Sequence, residues 1–175
     1  MRALWIAVLC AVLAACASTD EQTAAGVEDR KPGTEARGVE AGGPSGVGLT
    51  SGQRAALTDP ASPLSKRSIF YDFDKYDVKP EYRPLVEAHA GFLRDNSSLK
   101  ILIQGNTDDR GSREYNIALG QRRSDGVKKM MILLGVREDQ VESVSLGEEK
   151  PRAQGSTEDA WAQNRRSDIL YPGEY

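Results

Sequence analysis

Residues 99–135 read LKILIQGNTDDRGSREYNIALGQRRSDGVKKMMILLG. In the first part Leu99, Ile101 and Ile103 alternate with Lys100, Leu102 and Gln104, the period-two pattern of a strand with one apolar face. After Ser112 the period changes. Tyr115, Leu119, Arg123, Val127, Met130 and Leu134 recur at steps of three or four, and Gly135 follows, so a helix is predicted from Ser112 to Leu134. A strand that runs into a helix across a glycine-bounded hinge is half of an α/β unit.

The flanking segments repeat the scheme. Ser68 to Phe73 alternates Ile69, Tyr71 and Phe73 with Ser68, Phe70 and Asp72, a further strand pattern. Pro80 suits a first helical turn, and Tyr82, Leu85, Val86, His89, Phe92 and Leu93 then trace an amphipathic helix that breaks at Asn96-Ser97-Ser98. Val141 to Leu146 reads as a strand, Thr157 as the start of a short helix carrying Trp161, and Ser167 to Tyr171 as a final strand. The fold expected is an α/β (α+β) sandwich: a small mixed sheet with two main helices packed on one face. His89, on the apolar helix face, reads as a satisfied core residue rather than a base, and Met130-Met131 as helix packing. Trp161 reads as a hydrophobic anchor.

Of the 175 residues, 23 are Lys or Arg and 26 are Asp or Glu, a formal charge of -3. The chain therefore lacks the field that nucleic acid requires. One histidine and two cysteines, Cys10 and Cys16, exclude a disulfide framework in the body and the usual zinc motifs, and no cofactor is expected. Arg2 followed by the apolar run from Ala3 to Ala15 reads as an export signal over residues 1–15, too short to span a bilayer. Residues 16–63 are rich in glycine and proline without apolar periodicity, which predicts a disordered, flexible N-terminal tether. At about 47 residues such a tether has an end-to-end distance of roughly 35 to 40 Å. Residues 64–175 form the one globular candidate.

The chemistry is concentrated at one hinge. Gly105-Asn106-Thr107-Asp108-Asp109-Arg110-Gly111 joins a buried strand to a helix, where α/β folds form ligand crevices. Asp108 and Asp109 either cap the next helix or face a cleft, and the absence of a P-loop lysine disfavours phosphate. Arg123 interrupts the apolar stripe of the long helix. A buried guanidinium needs a partner, because an unpaired buried charge costs several kcal/mol on the order given by desolvation. Two answers stay open: an internal bridge to Asp108, or a carboxylate brought by a ligand. If Asp108 and Arg123 share a cleft, they offer opposite charges to one zwitterion.

Leu13-Ala14-Ala15-Cys16 resembles the lipobox of bacterial lipoproteins. That likeness implies cleavage before Cys16, acylation of Cys16 and, with Ala17 after it, sorting to the outer membrane; the alternative is a plain secretory signal with an incidental cysteine. Five ordered blocks resemble the peptidoglycan-associated lipoproteins of the OmpA-like C-terminal domain superfamily over about Ile69 to Tyr171. They are Phe73-Asp74-Lys75-Tyr76-Asp77, residues 105–111, Tyr115 to Arg123, Gly147-Glu148-Glu149-Lys150-Pro151 and Asn164-Arg165-Arg166.

The resemblance implies noncovalent binding of peptidoglycan through the meso-diaminopimelate of its stem peptide. Asp108 would receive the ammonium and Arg123 a carboxylate. Asp74, Tyr76, Asp77 and Val78 would form a wall, and Asn116 and Leu119 would line the same region, with Thr107, Arg165 and Arg166 in secondary roles. Asn106 stands where many superfamily members carry histidine. The implied partners are TolB and the Tol inner-membrane complex, in envelope integrity and cell division. No enzymatic activity is expected. The competing class is a peptidoglycan hydrolase using Asp108 and Asp109, which adjacent residues rarely permit; a third reading keeps wall binding outside the Tol system.

Overall fold

The computed structural model describes residues 48–175. The expected export signal, Cys16 and most of the expected tether lie outside the described residues. Eight elements follow in order: α1 (Ser51–Thr58), β1 (Ser68–Phe70), α2 (Arg83–Asp95), β2 (Ile101–Asn106), α3 (Arg113–Leu133), β3 (Val141–Gly147), α4 (Glu158–Asn164) and β4 (Arg166–Leu170). The four strands form one mixed sheet in the order β1-β4-β2-β3. β4 pairs antiparallel with both β1 and β2, while β2 and β3 are parallel and joined through α3.

Alternation along the strands divides the sheet. Ile69, Ile101, Ile103 and Ile169 are buried on the side where Val86 and Leu93 of α2 and Val127 and Met131 of α3 pack. The expected mixed sheet with two main helices on one face is the fold observed. Gly105 and Gly120 let α3 lie directly on β2, and a Cβ at Gly105 would stand 1.9 Å from the Gly120 carbonyl oxygen. Ser112 caps α3 by accepting from the Tyr115 amide at 3.2 Å. Gly135, at φ 91°, ends it: the Gly135 amide donates to the Ile132 carbonyl at 2.9 Å and the Val136 amide to the Met131 carbonyl at 3.1 Å, a Schellman closure.

Three local expectations need correction. The first strand is only three residues long, and Phe73, assigned to its apolar face, is 55% exposed. On α3, Met131 takes the core position expected of Met130, and Tyr115 is exposed, because the stripe drifts to Asn116, Leu119, Arg123, Val127 and Met131. Folded structure also begins before residue 64. Thr50 and Gln53 form a capping box, Leu57 of α1 joins the core, and Gln53 Nε2 donates to Asn96 Oδ1 at 2.7 Å. The expected boundary at 63/64 therefore falls after an ordered helix. His89 is a satisfied core residue, as expected: its Nδ1 meets the Tyr171 hydroxyl and its Nε2 the Lys66 carbonyl, each at 2.9 Å.

Candidate functional site

The residues that follow β1 and β2 converge with the N-terminal half of α3 and the end of α4. They enclose a recess of about 240 Å³ lined by Asp74, Asp108, Leu119, Arg123, Arg165 and, on the outer side, Phe73, Arg110 and Tyr115. The acid and the base singled out in the sequence therefore face one concavity.

They do not pair with each other. Asp108, 4% exposed, accepts through Oδ2 from Arg110 Nη2 at 2.6 Å and from Arg165 Nη1 at 3.2 Å. Its Oδ1 accepts from the Arg110 amide at 3.3 Å. Asp108 closes its own loop in this way, and Ser112 rather than either aspartate caps α3. Asp109 points elsewhere, accepting from the Trp161 indole N–H at 2.6 Å.

Arg123 is fully buried yet reaches no carboxylate. Its Nε donates to the Lys75 carbonyl at 2.8 Å, Nη1 to the Asn106 carbonyl at 2.8 Å and Nη2 to the Asp72 carbonyl at 3.4 Å. The guanidinium also lies 4.8 Å from the centre of the Tyr71 ring. Neutral carbonyls and a ring face orient the cation without cancelling it. Burial pulls the Arg123 guanidinium down to about 10, so it stays charged at neutral pH. Three of its five N–H groups are engaged, leaving donors for an anion.

Arg165 is the second buried cation. It donates from Nη2 to Glu158 Oε1 at 2.6 Å and from Nε to the Tyr71 carbonyl at 3.1 Å. Asp74 sits in the left-handed region at φ 58°, which aspartate tolerates better than most residues, and its carboxylate accepts from the Tyr115 hydroxyl. That contact raises the Tyr115 phenol above its ordinary value.

The recess gathers Asp74, Asp108, Leu119, Arg123 and Arg165 of the expected residues, but not all of them. Tyr76, Asp77 and Val78 line a separate concavity on the far side of their own loop. Asn116 is buried and donates to Glu148, with its Oδ1 left unpartnered. Thr107 is buried facing a small cleft beside Asp109 and Glu148. Arg166, itself buried, donates to Asp168 Oδ2 at 2.8 Å and to the Lys150 carbonyl at 3.3 Å, which makes it a brace between β4 and the segment after β3.

Sequence reasoning missed Arg110 as a site residue. Its guanidinium is stacked 4.1 Å from the centre of the Phe73 ring and 4.0 Å from that of Trp161, so Trp161 is part of the rim rather than a hydrophobic anchor. Arg110 stood inside the quoted hinge, but which aromatic would cover it depends on tertiary contacts. A larger concavity of about 680 Å³, beside Lys66, Phe70 and Tyr82, contains none of the expected site residues.

Residues 70–165 match the OmpA family. The peptidoglycan-associated lipoprotein of Pasteurella multocida is 47% identical over 104 residues, 59% of this chain and 69% of that protein. The one from Pseudomonas putida is 40% identical over 126 residues, 71% of this chain and 75% of that protein. The crystal structure of the peptidoglycan-associated lipoprotein from Burkholderia pseudomallei superposes with a TM-score of 0.65 at 53% identity, covering 66% of this chain and 98% of that one. The C-terminal domain of Helicobacter pylori MotB, at 20% identity and a TM-score of 0.56, shares the fold.

Proposed function

The chain belongs to the OmpA family, among its peptidoglycan-associated lipoproteins, and from that membership we propose that it binds peptidoglycan noncovalently and ties the outer membrane to the cell wall. The observation that carries the reading is the single recess shared by Asp108 and Arg123, which are not bonded to each other. A ligand that carries an ammonium and a carboxylate on one residue matches it, and the meso-diaminopimelate of the stem peptide has both. Its ammonium would go to Asp108 with Asp74 beside it, and its carboxylate to the spare N–H groups of Arg123. Leu119 gives the apolar floor against which the aliphatic part of the ligand packs.

The protein acts by binding, not catalysis. Asp108 is engaged by two arginines inside the recess and Asp109 by Trp161, so the two carboxylates do not flank one bond, as glycosidic hydrolysis requires. Acylation of Cys16 would anchor the chain in the outer membrane. Its partners would be TolB and the Tol inner-membrane complex, acting in envelope integrity and cell division.

Sedimentation with purified diaminopimelate-type sacculi tests the proposal. Asp108→Asn removes the charge while keeping the shape, and is a cleaner probe than Arg123→Ala, which also frees three backbone carbonyls. Retention of Asp108→Asn at the wild-type level, or equal binding to walls built with lysine, would refute the assignment. A crosslink from the domain to TolB tests the partner separately.

A further inference from the structure

The loop 74–78 has two sides. Asp74 lines the recess, while Tyr76 and Asp77 line the neighbouring groove of about 480 Å³ together with Arg83, Arg122, Asp125 and Lys129. Arg83 is the first residue of α2; Arg122 and Lys129 lie on α3, two turns apart. All three are exposed, and among the described residues none forms a salt bridge. Of the two acids in the groove, Asp125 is turned to neutral donors, accepting from Gln121 Nε2 at 2.9 Å and from Ser143 Oγ at 2.7 Å. Asp77 is the other. The Arg122 guanidinium lies 5.7 Å from the centre of the Tyr76 ring, which gives that cation a platform.

We infer that this groove is a second anion subsite, which receives a carboxylate of the same peptide whose zwitterionic residue occupies the recess. The inference rests on the proposed function above. Asp74, which lines the recess, and Tyr76, which lines the groove, are two residues apart, so their α-carbons stand at most about 7 Å from each other. That is within reach of the neighbouring residue of a bound peptide. In a stem where the diamino acid follows a γ-linked glutamate, the glutamate keeps a free α-carboxylate, and the methylenes and peptide bond between it and the zwitterionic end let it reach at least that far. Three unpaired cations against the two carboxylates Asp77 and Asp125 leave the groove net positive, which favours it, and an amide in its place would forgo the charge. The groove would thus distinguish stems with a free α-carboxylate from stems amidated there.

Titration of the full chain with three probes tests this: L-Ala-γ-D-Glu-meso-diaminopimelate, the same tripeptide with the glutamate α-carboxyl amidated, and free meso-diaminopimelate. Because the cations are exposed, each contributes modestly, and the wild type should prefer the acidic tripeptide by about three- to tenfold. The double variant Arg122→Gln, Lys129→Gln should lose that preference and bind free diaminopimelate as the wild type does. Equal wild-type affinity for both tripeptides, or a preference that survives in the double variant, overturns the groove while leaving the recess standing. Failure of the wild type to bind any of the three overturns the recess, and the groove with it.

Discussion

Placing a methyl group at Gly105 should damage both the fold and the site. In this structure β2 and α3 touch backbone to backbone: a Cβ on Gly105 would lie 1.9 Å from the Gly120 carbonyl oxygen and 2.7 Å from its carbon. Ordinary C···O contacts sit near 3.3 Å, so α3 would have to retreat by more than about 1 Å. Neither atom belongs to a side chain that can rotate away. Overpacking of a well-filled core costs about 1–3 kcal/mol, and a rigid backbone pair belongs at the upper end of that range. For a folded region of this size, about 3 kcal/mol lowers Tm by roughly 10 to 15 °C. The same retreat stretches the bond from Arg123 Nη1 to the Asn106 carbonyl, 2.8 Å in the native protein, so sacculus binding should fall even well below Tm. Gly126→Ala is the internal control. Its Cβ would meet only the Tyr76 carbonyl oxygen at 3.7 Å, and alanine gains up to about 1 kcal/mol of helix propensity. Thermal melts and sedimentation of both variants check the argument. A Gly105→Ala protein melting within about 2 °C of the wild type would refute the claim that this contact sets the height of α3 over the sheet.

Acid should destabilise the protein earlier than its carboxylates alone would require. Burial drives the His89 imidazole down to about 4, whereas an unfolded histidine titrates near 6.5. The native state therefore binds fewer protons, and stability that is complete above about pH 6.5 declines as pH falls toward 4, by on the order of 3 kcal/mol; denaturant melts of His89→Gln should lack that slope. Gln140→Leu should cost about 2–3 kcal/mol although it makes the side chain more apolar. Gln140 Nε2 donates to the carbonyls of Leu93, Asn96 and Leu99, at 3.0, 3.3 and 3.1 Å, and urea melts would read the loss. Trp161 is the single tryptophan of residues 48–175 and stacks at the rim on Arg110, so filling the recess should change its emission. A saturating diaminopimelate peptide that leaves the spectrum unchanged would place the ligand elsewhere.

Much of this architecture was legible because periodicity carried it. Leu99, Ile101 and Ile103 alternate and are all buried, and the span Ser112–Leu134 differs from α3 only in its two capping residues. What failed depended on contacts distant in sequence. The α1 helix has one buried residue, Leu57, too little for a periodic signal, although the Thr50/Gln53 capping box was present in the sequence. The coexistence of Asp108 and Arg123 in one concavity followed from a strand end leading into a helix. Their partners did not. Three carbonyls satisfying Arg123 come from the loop after β1 and from the last residue of β2, and no side-chain pattern announces a carbonyl. Likewise Arg165 was placed as secondary, yet its bond to Asp108 makes it a direct neighbour of the site, whereas Arg166, its equal in the sequence motif, is bonded to Asp168 within β4.

The strand order has a mechanical consequence. The chain from residue 48 reaches β1 at Ser68 through α1, whose Leu57 is held in the core, and leaves it toward Phe73 and Asp74, so once α1 has been pulled away, anything drawing on the N-terminal side and anything gripping the recess attach at opposite ends of the same short strand. Traction between those points runs along β1 and tries to slide it past β4. Ser68, Ile69 and Phe70 are in register with Asp168, Ser167 and Arg166, and sliding must rupture this ladder together rather than unzip it one rung at a time. A three-residue strand loaded lengthwise in this manner holds more force than the same hydrogen bonds would if peeled from one end.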